Sequence, residues 1–391
     1  MTEISIYCNR NFQIALGASI VMMMMVATIV PAFPKVMEAF KLTEQSVGLL
    51  ITVHTLPGFL FAPLGGIVAD RLDRKKLLVG SLLLFGIFGG SCALAPDFNT
   101  LLILRALQGI GAAPLLSISA TIISDIFSGH KRAEALGINT TVMYTGYIIY
   151  PLIGGALAGL TWNYPFLLFL AAIPLGLLAI FALQYPEPRN RQSLGDYLGD
   201  ALHYLKNWKV VWLFSATVIT YVLLYGAYLT YFSILIAERF HASPLTVGLF
   251  VSAVGLFTAI ISSQVGRISK RFSVVSLIIS AFVIYAIAMA IIPVMPELWF
   301  CLLPAIAFGI AHGLNLPSMT VVASQVTPPE HRASFMAIHG TMILLGMTIA
   351  PLVIGLAFSL TNLNVTFIIA ALIALIIPIM AVIISRKRLS A

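Results

Sequence analysis

Residues 47–76 read VGLLITVHTLPGFLFAPLGGIVADRLDRKK. No charged side chain occurs from Val47 to Ala69, and then Asp70, Arg71, Asp73, Arg74, Lys75 and Lys76 follow at once. A bilayer core takes roughly 20 apolar residues of helix, so the first part reads as a membrane span. Backbone in hydrocarbon must bond to itself, which makes that span a helix. The charged part is then a surface loop, and its basic excess predicts the cytoplasmic side.

The pattern repeats outward in both directions. Apolar runs of this length lie at about 12–34, 47–69, 77–95, 100–126, 134–159, 164–184, 210–236, 245–266, 274–293, 299–323, 335–359 and 364–385. The chain of 391 residues is 60% hydrophobic and 9% charged, where a soluble domain is about 25% charged. The predicted class is therefore an all-α membrane protein with twelve transmembrane helices. The first run is too long for a signal segment and is expected to be retained. Cys8, Cys92 and Cys301 are scattered, with no Cys-x-x-Cys, so neither a disulfide framework nor a metal site is expected. A formal charge of +8 could suggest nucleic acid. The basic residues are instead short clusters between spans, which is the pattern of membrane orientation.

With the N-terminus inside, the outer loops hold only Lys35, Lys41 and Arg239, and Arg105 alone falls within a span. The other basic residues sit on the inner side, so both termini are expected in the cytoplasm of a bacterial inner membrane. The longest polar stretch carries Pro186 and Pro188. It divides the chain into a six-helix unit at 1–185, a cytoplasmic linker at 186–209 with a short surface helix near 194–205, and a second six-helix unit at 210–391.

The halves are related by a constant shift of 200. Gly66 falls on Gly266, Arg71 on Arg271, Gly109-Ile110 on Gly309-Ile310, and Arg132-Ala133 on Arg332-Ala333. Gly146 falls on Gly346, Pro151-Leu152 on Pro351-Leu352, and Gly155 on Gly355. Parallel six-helix repeats are a transporter architecture that puts the substrate site between the halves near the midplane.

Three motifs carry a family resemblance. The loop Gly65-Gly66-Ile67-Val68-Ala69-Asp70-Arg71-Leu72-Asp73-Arg74-Lys75-Lys76 resembles the loop signature of the major facilitator superfamily, with Asp73 where that pattern has glycine. The fourth span, Arg105-Ala106-Leu107-Gln108-Gly109-Ile110-Gly111, resembles its second signature. The fifth span, Gly146-Tyr147-Ile148-Ile149-Tyr150-Pro151-Leu152-Ile153-Gly154-Gly155, is similar to the signature of its exporters, with Tyr150 replacing a glycine. Together they resemble the twelve-helix drug:proton antiporter branch. The resemblance implies proton-driven efflux of small molecules. It also implies an inner-gate charge network of Gly66, Asp70, Arg71 and Arg74, joined by Asp125, and an exporter-type element of Gly146, Pro151, Gly154 and Gly155.

Polar residues within spans are few, and they define the candidate substrate and coupling cavity: His54, Arg105, Gln108, Asn139, His312, Asn315 and His339. Tyr144 and Tyr147 on one helix and Tyr225 on another add aromatic walls suited to planar lipophilic molecules. These tyrosines fit helix packing equally well. Arg105 could also snorkel to the outer interface. No Asp or Glu lies deep in a span, so the proton carrier is expected among His54, His312 and His339, or is Glu38 if the first helix runs past Pro34. A histidine bonded between helices is the plainer reading of any one of them.

The expected function is export of small amphipathic or lipophilic molecules by alternating access, as proton antiport. Neutral, zwitterionic or anionic substrates are favoured over cations. The alternative is a facilitator or importer of an anionic metabolite or lipid, bound by Arg105 and uncoupled from protons. No resident cofactor or metal is expected, and the proton gradient supplies the energy. The partners are the substrate and the bilayer, not nucleic acid, and the chain is expected to act as a monomer. No His-Glu-x-x-His, Gly-x-Ser-x-Gly or phosphate loop supports an enzyme.

Overall fold

The computed structural model describes residues 6–71, 73–183, 207–327 and 332–389. Within these, the side chains of 62–71, 116, 332–334 and 385–389 are not described. The linker expected at 186–209 therefore lies almost wholly outside the described residues, as do the side chains of Gly66, Asp70 and Arg71.

Among the described residues the chain is helical and forms no strand. The membrane helices are α1 (Arg10–Phe40), α2 (Glu44–Arg71), α3 (Arg74–Leu94), α4 (Phe98–Ile126), α5 (Gly129–Leu160) and α6 (Tyr164–Ala182). The second set is α7 (Trp208–Phe240), α8 (Pro244–Ile268), α9 (Val274–Val294), α10 (Leu298–Gln325), α11 (Arg332–Leu360) and α12 (Leu363–Leu389). By described residues, 11 of these are long and apolar enough to cross a membrane. The remaining one, α2, has 28 residues.

The ends of the helices keep the 200-residue register. Helices α2 and α8 begin at Glu44 and Pro244, α3 and α9 at Arg74 and Val274, and α4 and α10 at Phe98 and Leu298. Both α3 and α9 tighten into a last 3-10 turn, at Cys92–Leu94 and Ile292–Val294. Helices α1 and α7 end on left-handed caps at Lys41 (φ 53) and His241 (φ 51), the two non-glycine residues of positive φ among those described. Such a cap closes a helix by bonding its N–H back into the last turn. Asp73, the departure from the loop signature, caps α3 by accepting from the Lys75 N–H at 2.8 Å. Asp97 caps α4, and its bonds from the Thr100 N–H and hydroxyl hold its carboxyl below the usual range.

Each half packs around its own α1-type and α4-type helices, and two seams join the halves: α5 against α8, and α2 against α11. The seams match in detail. The Ser252 hydroxyl donates to Ile148 O at 2.6 Å, and the Thr52 hydroxyl donates to Thr348 O at 3.0 Å. Exchanging the halves converts one bond into the other: the donor number falls by 200 and the acceptor number rises by 200. Both acceptors lie three residues before a helix proline, Pro151 or Pro351. Proline removes an i→i−4 bond and bends the helix, exposing carbonyls on that turn to the partner. Glycine is required opposite: a Cβ on Gly248 would meet the Pro151 carbonyl, and one on Gly48 would come within 2.8 Å of Pro351 Cβ.

The seams are closed at one face and apart at the other. Toward the ends that hold Gly155 and Pro244, backbones touch: a Cβ on Gly155 would meet the Pro244 carbonyl. Toward the ends that hold Lys131, Arg132, Arg267 and Arg271, Gly137, Gly266 and Gly340 have nothing within 4 Å of an added Cβ. Among the described residues the α5–α8 seam is therefore in contact at the far face and apart toward this basic face.

Candidate functional site

A small cavity lies between the halves beside the α5–α8 seam. The first half contributes Val26 and Ala27 of α1 with Tyr144 and Tyr147 of α5. The second contributes Leu224, Tyr225 and Leu229 of α7, Val251, Val254, Gly255 and Thr258 of α8, and His312 and Leu316 of α10. Its wall is apolar and aromatic. Among the described residues the polar groups of the lining are three phenols, one threonine and one imidazole, with no carboxylate, lysine or arginine. Apolar walls with a few placed polar groups are the usual make-up of a small-molecule site.

Backbone irregularities shape this wall. Helix α1 is regular to Ala27 and then breaks through the 3-10 turn Val30–Ala32 before resuming at Phe33–Phe40. At the equivalent place α7 is a π-helix, Val222–Phe232. An i→i+5 helix has a wider turn, so the residue four on, rather than three on, returns to the same face. Tyr225 and Leu229 accordingly share the cavity wall. Tyr228, three residues on from Tyr225, turns away and donates to Phe250 O at 2.9 Å.

The spans contain two separate polar clusters. In the second half, the Tyr285 hydroxyl lies 2.6 Å from His312 Nδ1, and Asn315 Nδ2 donates to Thr220 Oγ1 at 2.7 Å. Nearby, His339 Nε2 bonds Thr217 Oγ1 at 2.9 Å. Of these residues His312 alone reaches the cavity lining. In the first half, Arg105 is fully buried and faces inward: it donates to Gln108 Oε1 at 2.6 Å, to Met25 O at 3.0 Å and to Leu50 O at 3.4 Å, with Phe169 beneath its guanidinium. Met25 O needs this donor because α1 breaks there: the Ile29 N–H bonds Val26 O instead. His54 Nδ1 sits 3.4 Å from Arg105 O.

The structure thus brings Tyr144, Tyr147, Tyr225 and His312 together at the cavity. It places His54, Arg105 and Gln108 inside the first half, and Asn315 and His339 behind the wall of the second. Asn139 is buried on α5 against Met143 Sδ, at 3.7 Å. Arg105 does not snorkel to the surface. Helix α1 does continue past Pro34, but Glu38 pairs with Lys35 at 2.9 Å on the exposed surface. At the basic face Arg74 pairs with Asp125 across α3 and α4 of one half. In the exporter-type element, Gly146 packs on Met23 of α1, Gly154 on Thr28, Gly155 on Pro244, and Pro151 on Gly248. Its Pro151 and Gly155 lie at the closed end of the α5–α8 seam, and its Gly146 and Gly154 face α1.

The α8 wall was not singled out from the sequence. Its signal was present as small residues at helical spacing, Gly248, Ser252, Gly255 and Ser262, all of which face α5 or α10.

The sequence profile of the Major Facilitator Superfamily matches residues 15–235 and again 213–390. The chain is 24% identical over 336 residues to quinolone resistance protein NorA of Staphylococcus aureus (strain COL), covering 85% of this chain and 86% of that one. It is 25% identical over 374 residues to multidrug resistance protein 2 of Bacillus subtilis (strain 168), covering 93% and 92%. Among solved structures it resembles a bacterial homolog of the human lysosomal transporter Spinster in an inward-facing, occupied conformation, with TM-score 0.80, 17% identity and 98% of each chain covered. Two six-helix repeats, a cavity between them and a profile match along the whole length lead to one conclusion: the chain belongs to the Major Facilitator Superfamily and is a multi-pass membrane transporter.

Proposed function

We propose that the chain exports small neutral or zwitterionic amphipathic molecules across a bacterial inner membrane in exchange for protons. In this reading the basic face and both termini are cytoplasmic, and a single chain suffices. The observation that carries it is the cavity itself: an apolar, tyrosine-lined space between the halves with no carboxylate to receive a cation. The open basic face then admits substrate from the cytoplasm or inner leaflet. Rocking of one half against the other, about the two seams, would close that face and open the far one. Relatives named for quinolone and multidrug resistance fit this direction and this substrate class.

The test uses the full chain in proteoliposomes with an imposed proton gradient and a panel of three compounds. Ciprofloxacin and uncharged chloramphenicol are expected to accumulate in a gradient-dependent manner, and cationic ethidium is not. Robust ethidium transport would overturn the substrate class. Transport indifferent to the gradient would overturn antiport.

A further inference from the structure

The 200-residue register compares the two halves position by position. Where the second half has His312, Tyr285, Asn315 and Thr220, the first has Ala112, Phe85, Leu115 and Ile20. The converse also holds: Arg105, Gln108 and His54 face Ala305, Phe308 and Val254. These two clusters occupy different places in their halves. The first is sealed by Phe85 and Phe169, and Arg105 serves the broken turn of α1. The second opens on the cavity through a single atom set, the imidazole of His312.

Resting on the proton-antiport reading above, we propose that His312, held by Tyr285, is the group on which a proton and the substrate exclude one another. The ring is fixed between Tyr285, bonded to Nδ1 at 2.6 Å, and Phe308, stacked at 6.1 Å. With hydrogen on Nδ1 donated to the Tyr285 oxygen, the Nε2 lone pair faces the cavity. It can accept a hydrogen bond from a substrate hydroxyl or amide, or it can bind a proton, but not both. Protonation makes one N–H bond at Nε2 and releases the substrate donor. Deprotonation toward the basic face restores the acceptor, and no other bond changes.

The other titratable groups at the cavity are phenols: Tyr225 of α7 and Tyr144 and Tyr147 of α5, with Tyr285 of α9 behind the ring. The α8 wall presents Thr258, whose hydroxyl is committed to Gly309 O. On α11, His339 is bonded to Thr217 away from the lining.

Chloramphenicol is the probe, because it carries no titratable group of its own near neutrality. In proteoliposomes the ratio of its uptake with and without a proton gradient is expected to fall to about one in His312→Gln, since glutamine bonds but does not titrate. The same ratio is expected to stay near the wild-type value in His54→Gln and His339→Gln. A wild-type ratio in His312→Gln overturns the assignment and leaves the exporter reading standing. A wild-type protein that moves chloramphenicol without regard to the gradient overturns antiport, and this assignment with it. A second measurement needs no variant at this position. Chloramphenicol binding to the purified wild-type protein in weak buffer is expected to release protons, approaching one per ligand as the pH falls, and binding without release at any pH overturns the proposal.

Discussion

Arg105 shows how much a single side chain can be misplaced by sequence logic and still be identified as special. An arginine in a span is costly, so it must have partners. The sequence does not say whether those partners are a substrate or the protein. Here they are three neutral acceptors on α1, α2 and its own helix, one of them the Met25 carbonyl left without a helical donor. Arg105→Ala is expected to cost about 2–4 kcal/mol of stability, as charge-assisted hydrogen bonds are lost and buried acceptors orphaned. Arg105→Lys recovers only part, since a compact ammonium cannot span the three acceptors. Thermal unfolding in detergent measures both, and a wild-type melting temperature for Arg105→Ala would refute the account. His312 is the opposite case. It looked like any other buried histidine in the sequence, and its place on the cavity wall gives it a role.

Helix positions were legible because they depend on local chemistry, while the ends differ by up to six residues, as where α1 runs to Phe40 rather than stopping near residue 34. Apolar length, capping residues and prolines are all written in the chain, and the structure keeps them in register at 200 residues. The π-winding of Val222–Phe232 was not legible. It is a packing solution, in which Gly226 approaches Ala350 O of α11, and no composition signal marks it. The seams give a prediction at this scale. Ser252→Ala and Thr52→Ala each remove one hydrogen bond across the halves, worth about 1 kcal/mol. Each is expected to lower the occupancy of the far-closed state by roughly fivefold relative to the open one, and the two effects should add because the seams share no partners. Trapping by a short bifunctional thiol reagent between cysteines introduced at the exposed Leu160 and Leu245, at the far ends of α5 and α8, reports this closure. Trapping as efficient in the double variant as in wild type would contradict it. Gly248→Leu is expected to weaken trapping further, because any Cβ there meets the Pro151 carbonyl.

For the whole molecule, a seam apart toward the basic face and in contact at the far face defines one end of the transport cycle. A cysteine at Gly137 or Gly340, where an added Cβ has nothing within 4 Å, is expected to react with a membrane-impermeant thiol reagent from the basic face. The proposed orientation requires labelling in inside-out vesicles and protection in right-side-out ones. The reverse pattern would invert the topology. The charge pair Arg74–Asp125 sits within one half, so it steadies that bundle at the basic face and does not itself bridge to the other.

The sequence by itself determined that this is a twelve-helix membrane protein, where along the chain its helices lie, that it is duplicated, and which superfamily its motifs resemble. Those properties follow from composition, spacing and local backbone preference, which act along the chain. Tertiary structure decided which of the few intramembrane polar groups meet the cavity. It turned Arg105, Gln108 and His54 inward, brought the Val251–Thr258 face and the tyrosines together, and left His312 at the wall. That choice depends on how two bundles dock and how α7 winds, and neither is encoded by the spacing of residues on any one helix.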